Sequence, residues 1–151
     1  MQSVRIVEIP KCKMVSSGTG MFGQEKFERF FDWFTRLPKS IYPKDFLYFN
    51  GEGLCWLYLY DENLNTPSEF DIVDFEGGLY SVATDIDQQT DVEAMDKQVD
   101  EFLEKNGFER DKSRFKMGNI ITSPLASDIL CYNQMDYYSP IKPKSNFLSR
   151  G

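Results

Sequence analysis

Histidine is absent from all 151 residues. That removes the Ser-His-Asp and Cys-His nucleophile systems and the usual zinc sites together, so any catalysis must run on carboxylates, Tyr, Lys or bound water. There is no Gly-x-Gly-x-x-Gly, no P-loop and no Cys-x-x-Cys, which excludes the common nucleotide and redox motifs. No cofactor and no metal site is expected. Cysteine is scarce: Cys12, Cys55 and Cys131 form an odd, widely spaced set that makes no disulfide framework. No apolar run approaches 18 residues, and no basic-then-apolar leader opens the chain, so neither a membrane span nor a signal peptide is expected. The reading is a soluble cytoplasmic protein.

Positive charge is also short. Seventeen Lys and Arg against 24 Asp and Glu leave a net charge of −7 and a pI near 4.6. The cations are scattered, with Lys142 and Lys144 in a Pro-containing tail the nearest thing to a basic patch. Direct nucleic-acid binding is therefore not expected. What the chain holds in quantity is aromatic: 13 Phe, 8 Tyr and 2 Trp, 15% of the residues. Part of this must be core, but Tyr and Trp need polar partners when buried. The length suits one domain.

β-branched residues from Val4 to Glu8 predict a strand closed by Pro10, and Lys13 to Ser16 predict a second, broken by Gly18 and Gly20. Phe27, Phe30, Phe31 and Phe34 fall at i, i+3, i+4 and i+7, the apolar stripe of a helix from about Gly23 to Leu37, with Trp33 on its flank. "DFLYFNGEGLCWLYLYDEN" predicts two strands joined by a turn at Asn50 to Gly53. A second helix is predicted from about Asp91 to Lys105. Thr90 and Glu93 form its capping box, Val92, Met95, Val99, Phe102 and Leu103 its buried stripe, and Asn106-Gly107 its stop.

The chain echoes itself. A displacement of 66 sets Ile6 on Ile72, Val7 on Val73, Glu8 on Asp74 and Ile9 on Phe75. One of 69 sets Phe46 on Phe115 and Asn50 on Asn119, and one of 76 sets "LCW" at Leu54 to Trp56 on "LCY" at Leu130 to Tyr132. The displacements only grow, as loop insertions require. We read an internal duplication, each half running strand, strand, helix, strand, strand: residues 1–65 and 66–144 of a single domain, with 145–151 a tail.

Two such halves, with "VDFEGGLYSVA" leading into the second helix and "MDYYSPIK" as the last strand, resemble the gyrase-inhibitor-like (GyrI-like) effector-binding domains. These also form the C-terminal module of AraC-type and MerR-type multidrug regulators. The resemblance spans about Val4 to Lys142. It implies an α+β fold in which duplicated halves form one curved antiparallel sheet with two helices and a central cleft. It further implies that the cleft binds lipophilic, often cationic, molecules between aromatic walls and a buried acid.

Carried onto this chain, the resemblance makes Trp56, Tyr58, Tyr80, Lys116, Tyr132, Asp136 and Tyr137 candidate ligand-binding residues, with Trp56 and Tyr132 facing each other across the cleft. Core packing accounts equally well for any single Tyr, but less well for all of them together, since Tyr and Trp are costly in a dry core unless the OH or NH finds a partner. Lys116 stands where many family members carry the acid, so the countercharge is sought among Asp136, Glu52 and Glu76, with Asp136 preferred. The expected function is a stand-alone small-molecule-binding protein, since two halves leave no room for a DNA-binding domain. One alternative is a hydrolase of cyclopropane-bearing toxic compounds, with Asp136 or Glu52 as base and Tyr80 or Tyr137 as donor. The other is a protein-binding modulator whose partner is a regulator or a DNA-processing enzyme.

Overall fold

The computed structural model describes residues 4–145; beyond its first residue, the tail expected at 145–151 lies outside them. The chain runs through β1 (Arg5–Ile9), β2 (Cys12–Gly20), α1 (Glu25–Thr35), β3 (Asp45–Phe49) and β4 (Leu54–Leu59). It continues through β5 (Asp71–Phe75), β6 (Gly78–Ile86) and α2 (Val92–Asn106). β7 (Phe108–Arg110), β8 (Met117–Ile120), α3 (Pro124–Leu130) and β9 (Gln134–Pro143) complete it. The fold is α+β, and the strand pairings are antiparallel. Among the described residues no helix is long and apolar enough to cross a membrane.

Two compact units are present. One is Pro10–Gly77; the other joins the residues up to Ile9 to those from Gly78 onward. In the first, the strand order is β3-β4-β2-β5 with α1 on one face. In the second it is β1-β6-β9-β8, with β7 beside the end of β9 and α2 on one face. Each unit has its own core. Val15, Phe27, Phe30, Trp56, Tyr58 and Phe70 fill one, and Ala83, Met95, Val99, Leu103 and Ile141 fill the other.

The displacement of 66 carries β1 onto β5 and β2 onto β6, end for end. Yet the opening strand of each sequence half does not pair with its own successor: β1 pairs with β6, and β5 pairs with β2. Two of the echoes need correction. Leu130 ends α3, Cys131 is its left-handed cap, and Tyr132 lies in the turn beyond, so "LCY" is no strand. α3 itself, with Ser123 as N-cap and Pro124 in its first turn, was not anticipated. Phe115 precedes β8 rather than lying in it.

Registers give the proper correspondence. Met14 pairs with Leu59 as Tyr80 pairs with Pro140, which sets β4 on β9 at a displacement of 81 and makes Tyr137 the counterpart of Trp56. In β3 and β8, Tyr48 opposes Cys55 as Asn119 opposes Asp136. Gly18 does not end β2. It takes φ +72 inside a bulge between Ser16 and Thr19, and the strand runs on to Gly20.

The helices follow their apolar stripes, with local departures. Phe27 and Phe30 are buried, whereas Phe31 is half out of the core. Asp91, not Thr90, caps α2 by accepting from the Ala94 N–H; Thr90 instead donates to the Ile86 carbonyl. Gly107 ends α2 at φ +81, a left-handed conformation that a Cβ disfavours. Gly107→Ala is expected to cost about 1 kcal/mol in chemical denaturation, with the fold retained.

Candidate functional site

The unit Pro10–Gly77 gathers rings around Trp56. Strand alternation puts Trp56 and Tyr58 on the face of β4 that α1 covers. Phe27, Phe31 and Phe34 reach Trp56 from α1, with centroids 5.0, 5.2 and 5.3 Å away, and Phe22 meets it edge-on at 5.8 Å. Trp33 and Phe34 each lie 5.7 Å from Tyr58. Trp56 is only 8% exposed, while Phe22 above it is 60% exposed. Phe22, which belongs to neither helix nor strand, covers one side of the indole.

A carboxylate sits beneath these rings. Asp45, at the start of β3, opposes Tyr58 and accepts a 3.3 Å hydrogen bond from the Trp56 indole Nε1. Burial pushes its pKa up, against the lowering effect of that hydrogen bond. Among the described residues no Lys or Arg is paired with it. Burial also raises the Tyr58 phenol, and the nearby Asp45 charge adds to the shift. Beside Tyr58 opens a cavity of about 310 Å³, lined also by Leu37, Pro38, Lys44, Tyr60 and Leu64 among others. Asp45 was not singled out from the sequence. Its strand, the alternation of β4 and the hairpin turn together would have placed it opposite Tyr58.

The other candidates lie apart from this cluster. Asp136, on β9, is buried and already committed: it accepts from Arg5 Nη2 at 3.0 Å and from the Thr84 hydroxyl. Tyr80 is fully buried, with the Arg114 guanidinium 4.8 Å over its ring. The Tyr137 hydroxyl is 3.0 Å from that of Thr90. Lys116 is exposed, just before β8, and paired with Asp96 at 3.4 Å. Glu52 and Glu76 are exposed, Glu52 at the hairpin tip where its N–H donates to Asn50. Tyr132 lies in the turn after α3 rather than on a strand opposite Trp56.

The Arg5–Asp136 pair makes a direct prediction. The Asp136 side chain is 8% exposed and that of Arg5 53%, so solvent screens one partner. Arg5→Met is expected to cost about 1–2 kcal/mol, below the loss for a fully buried pair. Adding Asp136→Asn should recover most of it in a double-mutant cycle read by denaturant unfolding.

Neither a family model nor a curated protein matches the chain. Solved structures do resemble it. The C-terminal domain of EcmrR superposes with a TM-score of 0.60 at 9% identity, over 95% of this chain and 99% of that one. A hydrolase from Listeria innocua gives 0.63 at 10% identity, over 93% and 92%. SAV2435 bound to tetraphenylphosphonium gives 0.54 at 11%, over 93% and 94%. At these identities the likeness is one of fold: the chain shares the α+β fold of these domains.

Proposed function

We propose that this protein binds a lipophilic cationic small molecule, held by the rings around Trp56 and Tyr58 with Asp45 as the countercharge. The observation that carries the reading is Asp45: a half-buried carboxylate with a raised pKa and no cationic partner among the described residues, hydrogen-bonded to the indole of an aromatic cluster. Burying an acid unpaired is unfavourable, and its raised pKa is the sign of that cost. A cation seated on the rings relieves it. Each face-on ring contributes about 0.5–2 kcal/mol when desolvated, and the carboxylate replaces the cation's lost hydration. The exposed Phe22 side chain is the part of the cluster that can swing aside without disturbing a helix or strand.

Support also comes from chemistry seen on the same fold. SAV2435 holds tetraphenylphosphonium, a delocalised cation walled by phenyl rings. Asp136, preferred from the sequence, is the weaker choice because Arg5 already neutralises it.

A thermal-shift panel tests the reading. Tetraphenylphosphonium, the neutral triphenylphosphine oxide and an aromatic carboxylate are compared at matched concentrations. A ligand at 100 times its Kd adds about 2.7 kcal/mol of stability. Stabilisation is expected from the cation alone. Equal shifts from the neutral compound, or none from the cation, would overturn it.

A hydrolytic reading is favoured by the same raised carboxyl, since a base with its pKa moved toward neutrality suits activation of water. Incubation with cyclopropane-bearing compounds separates the two: turnover lost in Asp45→Asn supports hydrolysis, and binding without turnover excludes it for those compounds.

A further inference from the structure

The second unit holds an unanswered acceptor. Asn119, on β8, is 4% exposed, and its Oδ1 is buried with no hydrogen-bond partner among the described residues. An orphaned buried acceptor costs about 1–3 kcal/mol, so a native one calls for an explanation.

Its surroundings are polar in a defined way. Registers put Asn119, Met117, Asp136, Tyr138, Thr84, Val82 and Arg5 on the sheet face away from α2. Asn119 stands directly opposite Asp136, which places their Cβ atoms about 4.5–5.5 Å apart. Asp136 does not use this proximity, because Thr84 and Arg5 hold its carboxylate. The corresponding pair of the first unit behaves differently: the Tyr48 hydroxyl is hydrogen-bonded to the opposing Cys55. Two equivalent positions thus carry polar pairs, one closed on itself and one left open.

We propose that Asn119 and Asp136 form a subsite for a primary carboxamide. A carboxamide is both donor and acceptor on one edge, so it meets the Asn119 amide edge to edge, giving an N–H to Oδ1 and accepting from Nδ2. Its second N–H then reaches toward Asp136, a charge-assisted acceptor. A carboxylate has no N–H for Oδ1, and a tertiary amide lacks both donors. The inference does not rest on the cation site, which is built from other residues.

The experiment uses benzamide and N,N-dimethylbenzamide at millimolar concentration on the full chain. The Asn119 side-chain NH₂ resonances are read in ¹H–¹⁵N spectra and assigned by their loss in Asn119→Leu. Benzamide is expected to shift them and the dimethyl compound is not. Asn119→Leu should be at least as stable as the parent, because it removes the orphan, and should no longer respond to benzamide elsewhere in the spectrum. Resonances unmoved by benzamide, moved equally by both compounds, or a Leu variant that still binds would each overturn the proposal.

Discussion

Trp56→Ala is expected to destabilise the protein by about 3–5 kcal/mol, the range for removing a large aromatic from a packed core. The expectation follows from the surroundings. Four phenyl rings lie within 5.8 Å of the indole, three of them on α1, so the cavity opens along the whole contact between helix and sheet. The indole N–H also disappears from Asp45, leaving a half-buried carboxyl without that donor. Trp56→Phe keeps most of the volume and loses only the hydrogen bond, so it should recover more than half of the loss. Chemical denaturation of the two variants measures the difference, and a loss under about 1 kcal/mol for Trp56→Ala would show that the cluster is not core.

Asp45→Asn is expected to act in opposite directions on stability and on binding. The folded protein holds Asp45 above its ordinary value of 3.8. The folded state therefore binds protons more readily than the unfolded chain, and this group's contribution to stability is greatest below the ordinary value. It is lost as pH rises through the raised one. Asn imitates the protonated form and still accepts from the Trp56 indole. Asp45→Asn should thus be more stable than the parent at neutral pH, with the difference vanishing in acid. Binding runs the other way: a cation loses its countercharge, which costs about 2 kcal/mol or more, roughly thirtyfold in Kd.

Much of this architecture was legible because periodicity carries it. The displacement of 66 located β1, β2, β5 and β6, and the Phe stripe and the Met95–Leu103 stripe located α1 and α2. The exchange of β1 and β5 between partners was not legible, since similar strands carry no mark of which neighbour each will choose. "LCY" misled because Leu130 and Cys131 suit a strand in isolation, while Ser123 and Pro124 seven residues earlier start a helix that ends on them. The rings of the candidate site were visible as types, and Trp56 and Tyr58 stand on one face as alternation requires. The acid was not. Asp45 looks like a strand-opening surface residue until β3 pairs with β4 and brings it under the indole, and Asp136 looked available until β1 brought Arg5 to it.

The measurement that tests the central claim most directly is calorimetric titration of tetraphenylphosphonium into the parent protein and into Asp45→Asn at neutral pH, with triphenylphosphine oxide as the neutral control. The account predicts saturable binding to the parent, roughly thirtyfold weaker binding to the folded Asn variant, and much weaker binding of the neutral compound to both. Equal affinity of the cation for the two proteins would contradict it, showing that Asp45 is not the countercharge.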